Sequence, residues 1–453
     1  MINPETGRSQ LTELRRLAGG SEPRLIASHD DEVLTALQVW AAENFGGLLL
    51  GEGGFSLGWG GSARERMTRA IAADPELPFG VNSNEMDGIW HITSSGSAST
   101  VQLASLGSGI VAAAFRQAAT QNVSLQLEDV LAEIPDALYT ARSLFMGKSV
   151  EALALAGLAG VLLPDDKTEL TAPWGRVRTT HDTDNVLLAG QQDLLTMAQP
   201  DGTNLVSRGT GDLTIETKVS WVSEFGELPT GEEISPIRPP ITSYNLLQRR
   251  VLEVRLAFAL SMADSRAPAL LPTWAKVEDP ISGTSGFSFT EISKMRRRTP
   301  TRLSVEQAQE WERWITILSD LRLDNLGHAP QRLLRAMTER DDPVDALVDA
   351  VIVWESIFGT HDEITFRVCG SLARLLYGTV EERLSFVKRA KGIYTMRSKI
   401  VHGASDTKPE RVNESRDEAV HVAIHALRAL VSERPDLLAI TTGSRRSDRI
   451  MLE

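Results

Sequence analysis

Apolar residues change their spacing along this chain, and the change divides it in two. Val33, Leu37, Trp40 and Ala41 recur at helical spacing and predict an amphipathic helix from Val33 to Asn44. The stretch Ser149 to Ala156 is also expected to be helical. Val161-Leu-Leu163, Val186-Leu-Leu188 and Leu213 to Trp221 are expected to be extended, the last because apolar and polar residues alternate. Val101 to Phe115 is apolar but broken by Gln102, Ser105, Ser108 and two glycines, which predicts a packed helix. The glycine-rich stretches Gly51–Gly61 and Ser94–Gly109 read as loops. Neither ends in Gly-Lys-Ser/Thr after a clean strand, so neither fits a phosphate-binding loop.

Prolines 229, 236, 239 and 240, with Gly226 and Gly231 beside them, mark a domain boundary. Beyond it, helical spacing dominates. Leu246 to Met262 is one helix; Ser304-Val-Glu-Gln307 has capping-box spacing and opens another, with Trp311, Trp314, Ile315 and Leu318 on one face. Asp342-Pro343 starts a helix that runs to Phe358 and stops at Gly359. Thr360-His-Asp-Glu363 and Thr379-Val-Glu-Glu382 open two more, separated by Gly378. A last helix from Glu414 to Ser432 carries Val420, Ile424, Leu427 and Val431 on one stripe, and the polar tail from Thr441 is expected to be disordered. Short connections favour antiparallel neighbours in a bundle. The expected architecture is α+β: a mixed α/β region over 1–235, a helical connector over 241–302, an all-α bundle over 303–435 and a flexible tail over 436–453.

Composition narrows the class. With 453 residues, 42% hydrophobic and 24% charged, nine Trp and twelve Phe, the chain has the make-up of a globular protein of more than one domain. The polar opening Met1 to Thr6 predicts no secretory leader, and the apolar run Ala152–Leu163 is too short to span a bilayer. A lone cysteine, Cys369, excludes an internal disulfide and a Cys-rich metal site, so a cytoplasmic protein with no membrane partner is expected. The net charge of −13 argues against nucleic-acid binding over the whole surface. Local basic patches remain, at Lys294–Arg298 with Arg302 and over Glu381 to Gly403, where six basic residues face two acidic ones.

Few residues stand out chemically. Glu355 lies within about 40° of Val344, Val348 and Val351 on an ideal helix, which puts a carboxylate on an apolar stripe. Such a group needs a partner, either as a structural ion pair with a neighbouring arginine or as the support of a catalytic side chain. Asp345 and Asp349 fall off this stripe and are expected to be solvated. Arg397 shares a stripe with Phe386, Ala390 and Ile393. His402 is five residues on, about 140° round the helix, so the two converge only if the helix breaks near Ile400-Val401-Gly403 or a second chain completes the site. His421 and His425 have i, i+4 spacing, but Val422 stands where a zincin carries glutamate and no third ligand is evident, so no metal or other cofactor is expected.

Tyr394-Thr-Met-Arg397-Ser398-Lys399-Ile-Val-His402-Gly403 resembles the signature of HEPN domains, in which Arg precedes His by a short spacer. The form Arg-Ser-Lys-Ile-Val-His-Gly, with Asp345 to Phe358 upstream, is similar to the ApeA-like branch associated with antiphage defence; Ser398 stands where many HEPN nucleases carry Asn, Asp or His. The likeness covers about 130 residues, and the N-terminal half resembles no named family. The resemblance implies a HEPN-type bundle and a metal-independent endoribonuclease that takes RNA as substrate and works as a homodimer, a toxin-like or defence effector. In it Arg397 and His402 are catalytic and Glu355, Tyr394, Ser398 and Lys399 support them, with the N-terminal half acting as a sensor. The chemistry fits: histidine moves a proton near neutrality, arginine binds a phosphate whose charge grows in the transition state, and Lys399 holds the backbone. The alternative the residues leave open is a non-catalytic HEPN module for dimerisation or ligand binding.

Overall fold

In the computed structural model of the chain, the described residues are 30–49, 62–77, 89–94, 97–122, 125–181, 195–198, 204–207, 211–227, 242–264, 267–281, 286–289, 300–340, 342–359, 363–402 and 408–453. Helices and mostly antiparallel strands make an α+β protein that divides into two units, each assembled from separate stretches of chain. Unit 1 comprises Met1–Gly157, Thr180–Gln248 and Thr273–Phe289, and unit 2 Leu158–Thr179, Arg249–Pro272 and Thr290–Glu453.

Unit 1 opens with α1 (Glu32–Leu49) and α2 (Ser62–Ala73), then β1 (Ile89–Ser94), β2 (Ser97–Gln102), α3 (Leu103–Gln121) and α4 (Leu127–Phe145). The four helices pack together over Leu37, Trp40, Met67, Ile110 and Ile134, all buried. Arg142 ties them at the surface, 2.8 Å from Asp31 and 2.5 Å from Asp74. The strand β3 (Val150–Ala159) follows, with β7 (Leu195–Ala198), β8 (Asn204–Ser207), β9 (Leu213–Trp221), β10 (Ser223–Glu227), β11 (Leu271–Val277) and β12 (Gly286–Phe289) later in the chain. One sheet has the order β10-β1-β2, another contains the run β12-β11-β3-β9, and β7 pairs with β8.

Two expectations for this half are corrected. Ser149 to Ala156 is not helical: Val150–Ala159 is a strand, and Ala152, Ala154, Leu155, Ala156 and Leu158 are buried on both of its faces. A strand covered on both sides shows no alternation, so its Ala- and Leu-rich run mimics a helix. Ser94–Gly109 is not a loop but holds β2 and the start of α3. At Gly107 α3 comes close to α2, and a Cβ there would lie 2.6 Å from the Met67 sulfur and force that side chain to shift. The tract Gly51–Gly61, Val186–Leu188, the proline-rich boundary and Lys294–Arg298 lie outside the described residues.

Unit 2 contains β4 (Val161–Leu162), β5 (Glu169–Ala172), β6 (Gly175–Thr179) and β13 (Thr301–Arg302). β5 and β6 form a hairpin, and β4 pairs in parallel with β13. Its helices begin with the part of α5 (Thr242–Met262) from Arg249 on, and continue with α6 (Val305–Ser319), α7 (Ala329–Leu334, widening into a π turn over Arg335–Glu339), α8 (Pro343–Phe358), α9 (Ile364–Leu376), α10 (Val380–Val401) and α11 (Pro409–Ser432). The short α12 (Pro435–Leu438) and α13 (Gly443–Met451) end the chain. The caps form as expected at Ser304, Asp342 and Thr379. Helix α9 starts at Ile364 after Glu363 in a left-handed conformation, and the expected cap, Thr360, lies outside the described residues. Trp311 packs edge-on to Phe258 and donates to the Val254 carbonyl; Trp354 donates to the Ala419 carbonyl. No helix among the described residues is long and apolar enough to cross a membrane.

The tail expected to be flexible is helical and packed. Arg446 is buried and donates to the carbonyls of Ile357 (2.8 Å), Asn325 (2.9 Å), Ile440 (3.0 Å) and Ser356 (3.1 Å). Polarity suggested solvation, but this guanidinium satisfies helix-end carbonyls that would otherwise be orphaned.

Candidate functional site

Helix α8 presents Glu355 toward α10. The flank that carries it is less buried than the sequence suggests, since Val344 and Val348 are half-exposed and only Val351 is fully covered. The main buried face of α8 runs through Ala346, Leu347, Ala350, Trp354 and Ile357. Asp349 lies within that face. The expectation that it is solvated is wrong: it is 1% exposed and sits between Arg332 (2.5 Å) and Arg340 (2.7 Å). Asp345 is exposed, as expected.

Helix α10 buries Phe386, Ala390, Ile393 and Tyr394. Arg397, one turn beyond Ile393, brings Nη2 to 3.9 Å from Glu355 Oε2. That is an ion pair too long for a hydrogen bond. Burial pushes the Glu355 carboxyl above its ordinary value, partly opposed by Arg397. Tyr394 lies beneath the pair, tilted against Trp354 with ring centres 6.0 Å apart. Among the described residues its hydroxyl and Arg397 Nε have no hydrogen-bond partner. Burial first, then Glu355 and the Cys369 thiol, hold the Tyr394 phenol far above its usual range. Cys369 itself is buried and pushed up to about 12.

The helix does not break between Arg397 and His402. The His402 amide donates to the Ser398 carbonyl (3.1 Å), and α10 runs intact to Val401, because β-branched Ile400 and Val401 cost a helix little. The offset of about 140° therefore persists, and one chain does not bring the two side chains together. His402 is exposed and shares an outer face with Leu384, Lys391, Thr395 and Ser398, all within about 30° of one line. Lys388 and Lys399 flank it, also exposed. The structure thus joins Glu355, Arg397 and Tyr394 in one cluster and sets Ser398, Lys399 and His402 on another face. Gly403 lies outside the described residues.

His421 and His425 lie tilted against each other with ring centres 4.2 Å apart; burial and the neighbouring His421 lower His425 below its ordinary value. Among the described residues no group of three His, Cys, Asp or Glu forms there or elsewhere. Sequence reasoning missed the Asp349 cluster and Arg446. Asp349's only signal was its phase with Ala346 and Val353, masked by the neighbouring valines. Comparison of the chain with protein-family models, curated proteins and solved structures found no match.

Proposed function

We propose that unit 2 carries a metal-independent RNA-cleaving site of the HEPN type, completed by a second copy of the chain. The observation that supports it best is the Glu355–Arg397 pair. The two residues that the sequence set apart on different helices meet, and the loose 3.9 Å geometry leaves most of the guanidinium's donors free for a phosphate. The lysine-flanked face with His402 suits an RNA backbone. Within one chain Arg397 and His402 diverge, so the reading requires an isologous dimer that sets one chain's Arg397 beside the other's His402. Ile364, Phe366, Val380, Leu384 and Val401, all exposed on α9 and α10, supply apolar surface for such a contact.

In this mechanism His402 takes the proton of a ribose 2′-OH as its oxygen attacks phosphorus. The bond to the 5′-oxygen breaks and that oxygen takes up a proton. A 2′,3′-cyclic phosphate and a 5′-hydroxyl result, while Arg397 stabilises the growing negative charge. Glu355 orients the arginine and acts as a positioning residue. Purified full-length protein should cut single-stranded or structured RNA in EDTA and leave cyclic-phosphate ends. Activity lost on chelation and restored by a divalent ion would contradict it, as would full activity from a monomer at micromolar concentration in sedimentation.

The divergence of Arg397 and His402 favours a second reading, a non-catalytic HEPN module in which Arg397–Glu355 only fastens α8 to α10. A dimer with no cleavage of any RNA offered would select it.

A further inference from the structure

A cleft of about 640 Å³ lies in unit 1 between α3, α4 and β3, within the range of about 300–1,000 Å³ typical of small-molecule sites. Its lining charges are unevenly matched. Arg116 and Glu278 pair at 2.6 Å, both nearly buried, and Lys218 meets Glu151 at 3.7 Å at the rim. Glu133 and Asp136 lie one turn apart on α4; Gln121 hydrogen-bonds Glu133 and Lys218 attracts it, but the cleft lining still holds four carboxylates, these two with Glu151 and Glu278, against the three cations Arg116, Lys148 and Lys218. Like charges at this spacing repel, and burial with Asp136 raises the Glu133 carboxyl above its ordinary value. Three residues further along, Tyr139 is 68% exposed on the cleft wall. Ser143 also lines the cleft; it is 3% exposed, and its hydroxyl is buried without a hydrogen-bond partner among the described residues.

We infer that this cleft binds a small organic cation, a linear amine or polyamine, with an ammonium group between Glu133 and Asp136 and its chain crossing Tyr139 toward Ser143. An ammonium supplies three donors and offsets the one carboxylate by which the acidic lining outnumbers its cations. The exposed ring offers a face to a neighbouring cationic or methylene group, as aromatic walls do for organic cations. The buried hydroxyl gains the partner it lacks, since a second amine at the far end of the ligand can donate to it. An anionic ligand meets the opposite balance. The site stands independently of RNA cleavage by unit 2.

Calorimetric titration of the full chain with 1,4-diaminobutane and with a linear triamine tests this, with glutarate as the anionic control. Both amines should bind saturably and glutarate should not. Glu133→Gln/Asp136→Asn should weaken amine binding by about tenfold or more, as loss of charged partners does, and Tyr139→Ala should weaken it several-fold. Tyr139 is exposed, so its variant keeps the test decisive if the double variant fails to fold. Absence of saturation with either amine, unchanged amine affinity in Tyr139→Ala and any folded double variant, or equal binding of glutarate would overturn the inference.

Discussion

Arg397 reaches Glu355 across the packing of α10 on α8, with Nη2 and Oε2 3.9 Å apart and each side chain a little over a quarter exposed. Neither feature fits a tight buried salt bridge. At that distance and exposure the attraction is partly screened and contributes about 1 kcal/mol or less. The arrangement aims the guanidinium without consuming its donors.

Glu355→Gln should therefore cost little stability, about 1 kcal/mol or less, while lowering kcat for RNA about tenfold and leaving KM nearly unchanged. The pH dependence has a definite sign. Glu355 binds its proton more tightly in the folded protein than its ordinary value of 4.5, so its contribution to stability is present below 4.5 and lost as pH rises through the folded value. Melts of wild type and variant from acid to neutral pH should show wild type losing ground relative to Glu355→Gln. A constant difference across that range would show that the carboxylate is not desolvated.

Arg397→Ala and His402→Ala should each abolish cleavage, with stability changed by about 0.5 kcal/mol, because His402 is exposed and Arg397 makes only a long, part-exposed ion pair while its buried Nε lacks a hydrogen-bond partner among the described residues. Mixing the two inactive variants gives a sharper readout. If the site is shared between copies, heterodimers regain one intact Arg397–His402 pair and partial activity returns. No recovery in a mixture shown to exchange subunits would exclude a shared site.

Asp349 should be far less tolerant. Its carboxylate is almost wholly buried and holds both Arg332 and Arg340. Asp349→Ala leaves two guanidinium groups gathered round an uncharged methyl, at a cost of about 3 kcal/mol or more. Thermal denaturation measures this directly, and a variant that melts with wild type would mean the arginines relax into solvent.

How much of this was legible depended on where the signal resides. The α6, α8 and α10 caps are local: Ser304, Asp342 and Thr379 bond to amides two or three residues away, so the sequence carries them whole. Glu355 and Arg397 were visible as charges on apolar flanks, and their pairing fits the simpler of two readings of Glu355. β3 was misread because a strand buried on both faces loses its alternation. Asp349 was misread because Val344 and Val348 suggested a stripe that tertiary packing left half-exposed. The divergence of His402 hangs on whether a helix continues through Ile400 and Val401, which propensity alone does not decide.

Arg446 is where the sequence said least and the structure says most. Two of its acceptors, the Ser356 and Ile357 carbonyls, lie in the last turn of α8, directly after Glu355, where helix carbonyls lack partners within the helix. The others, Asn325 and Ile440, tie the 3-10 turn before α7 and the link between α12 and α13 to the same point. Gly443 lets the backbones close, since a Cβ there would lie 3.0 Å from the Gly359 nitrogen. Desolvation pulls the Arg446 guanidinium down to about 10, so its charge is held by carbonyl dipoles. Arg446→Ala orphans four carbonyls and should cost about 3 kcal/mol, or roughly 6–12 °C in melting temperature for a unit of this size. Arg446→Lys keeps a charge but not the planar fork and should recover only part of it. Both variants should also lower RNA cleavage at temperatures well below their melts, because the frayed turn of α8 adjoins Glu355. Melting of Arg446→Ala within a degree or two of wild type would mean that the C-terminal helix is dispensable and that α8 is held by its core face alone.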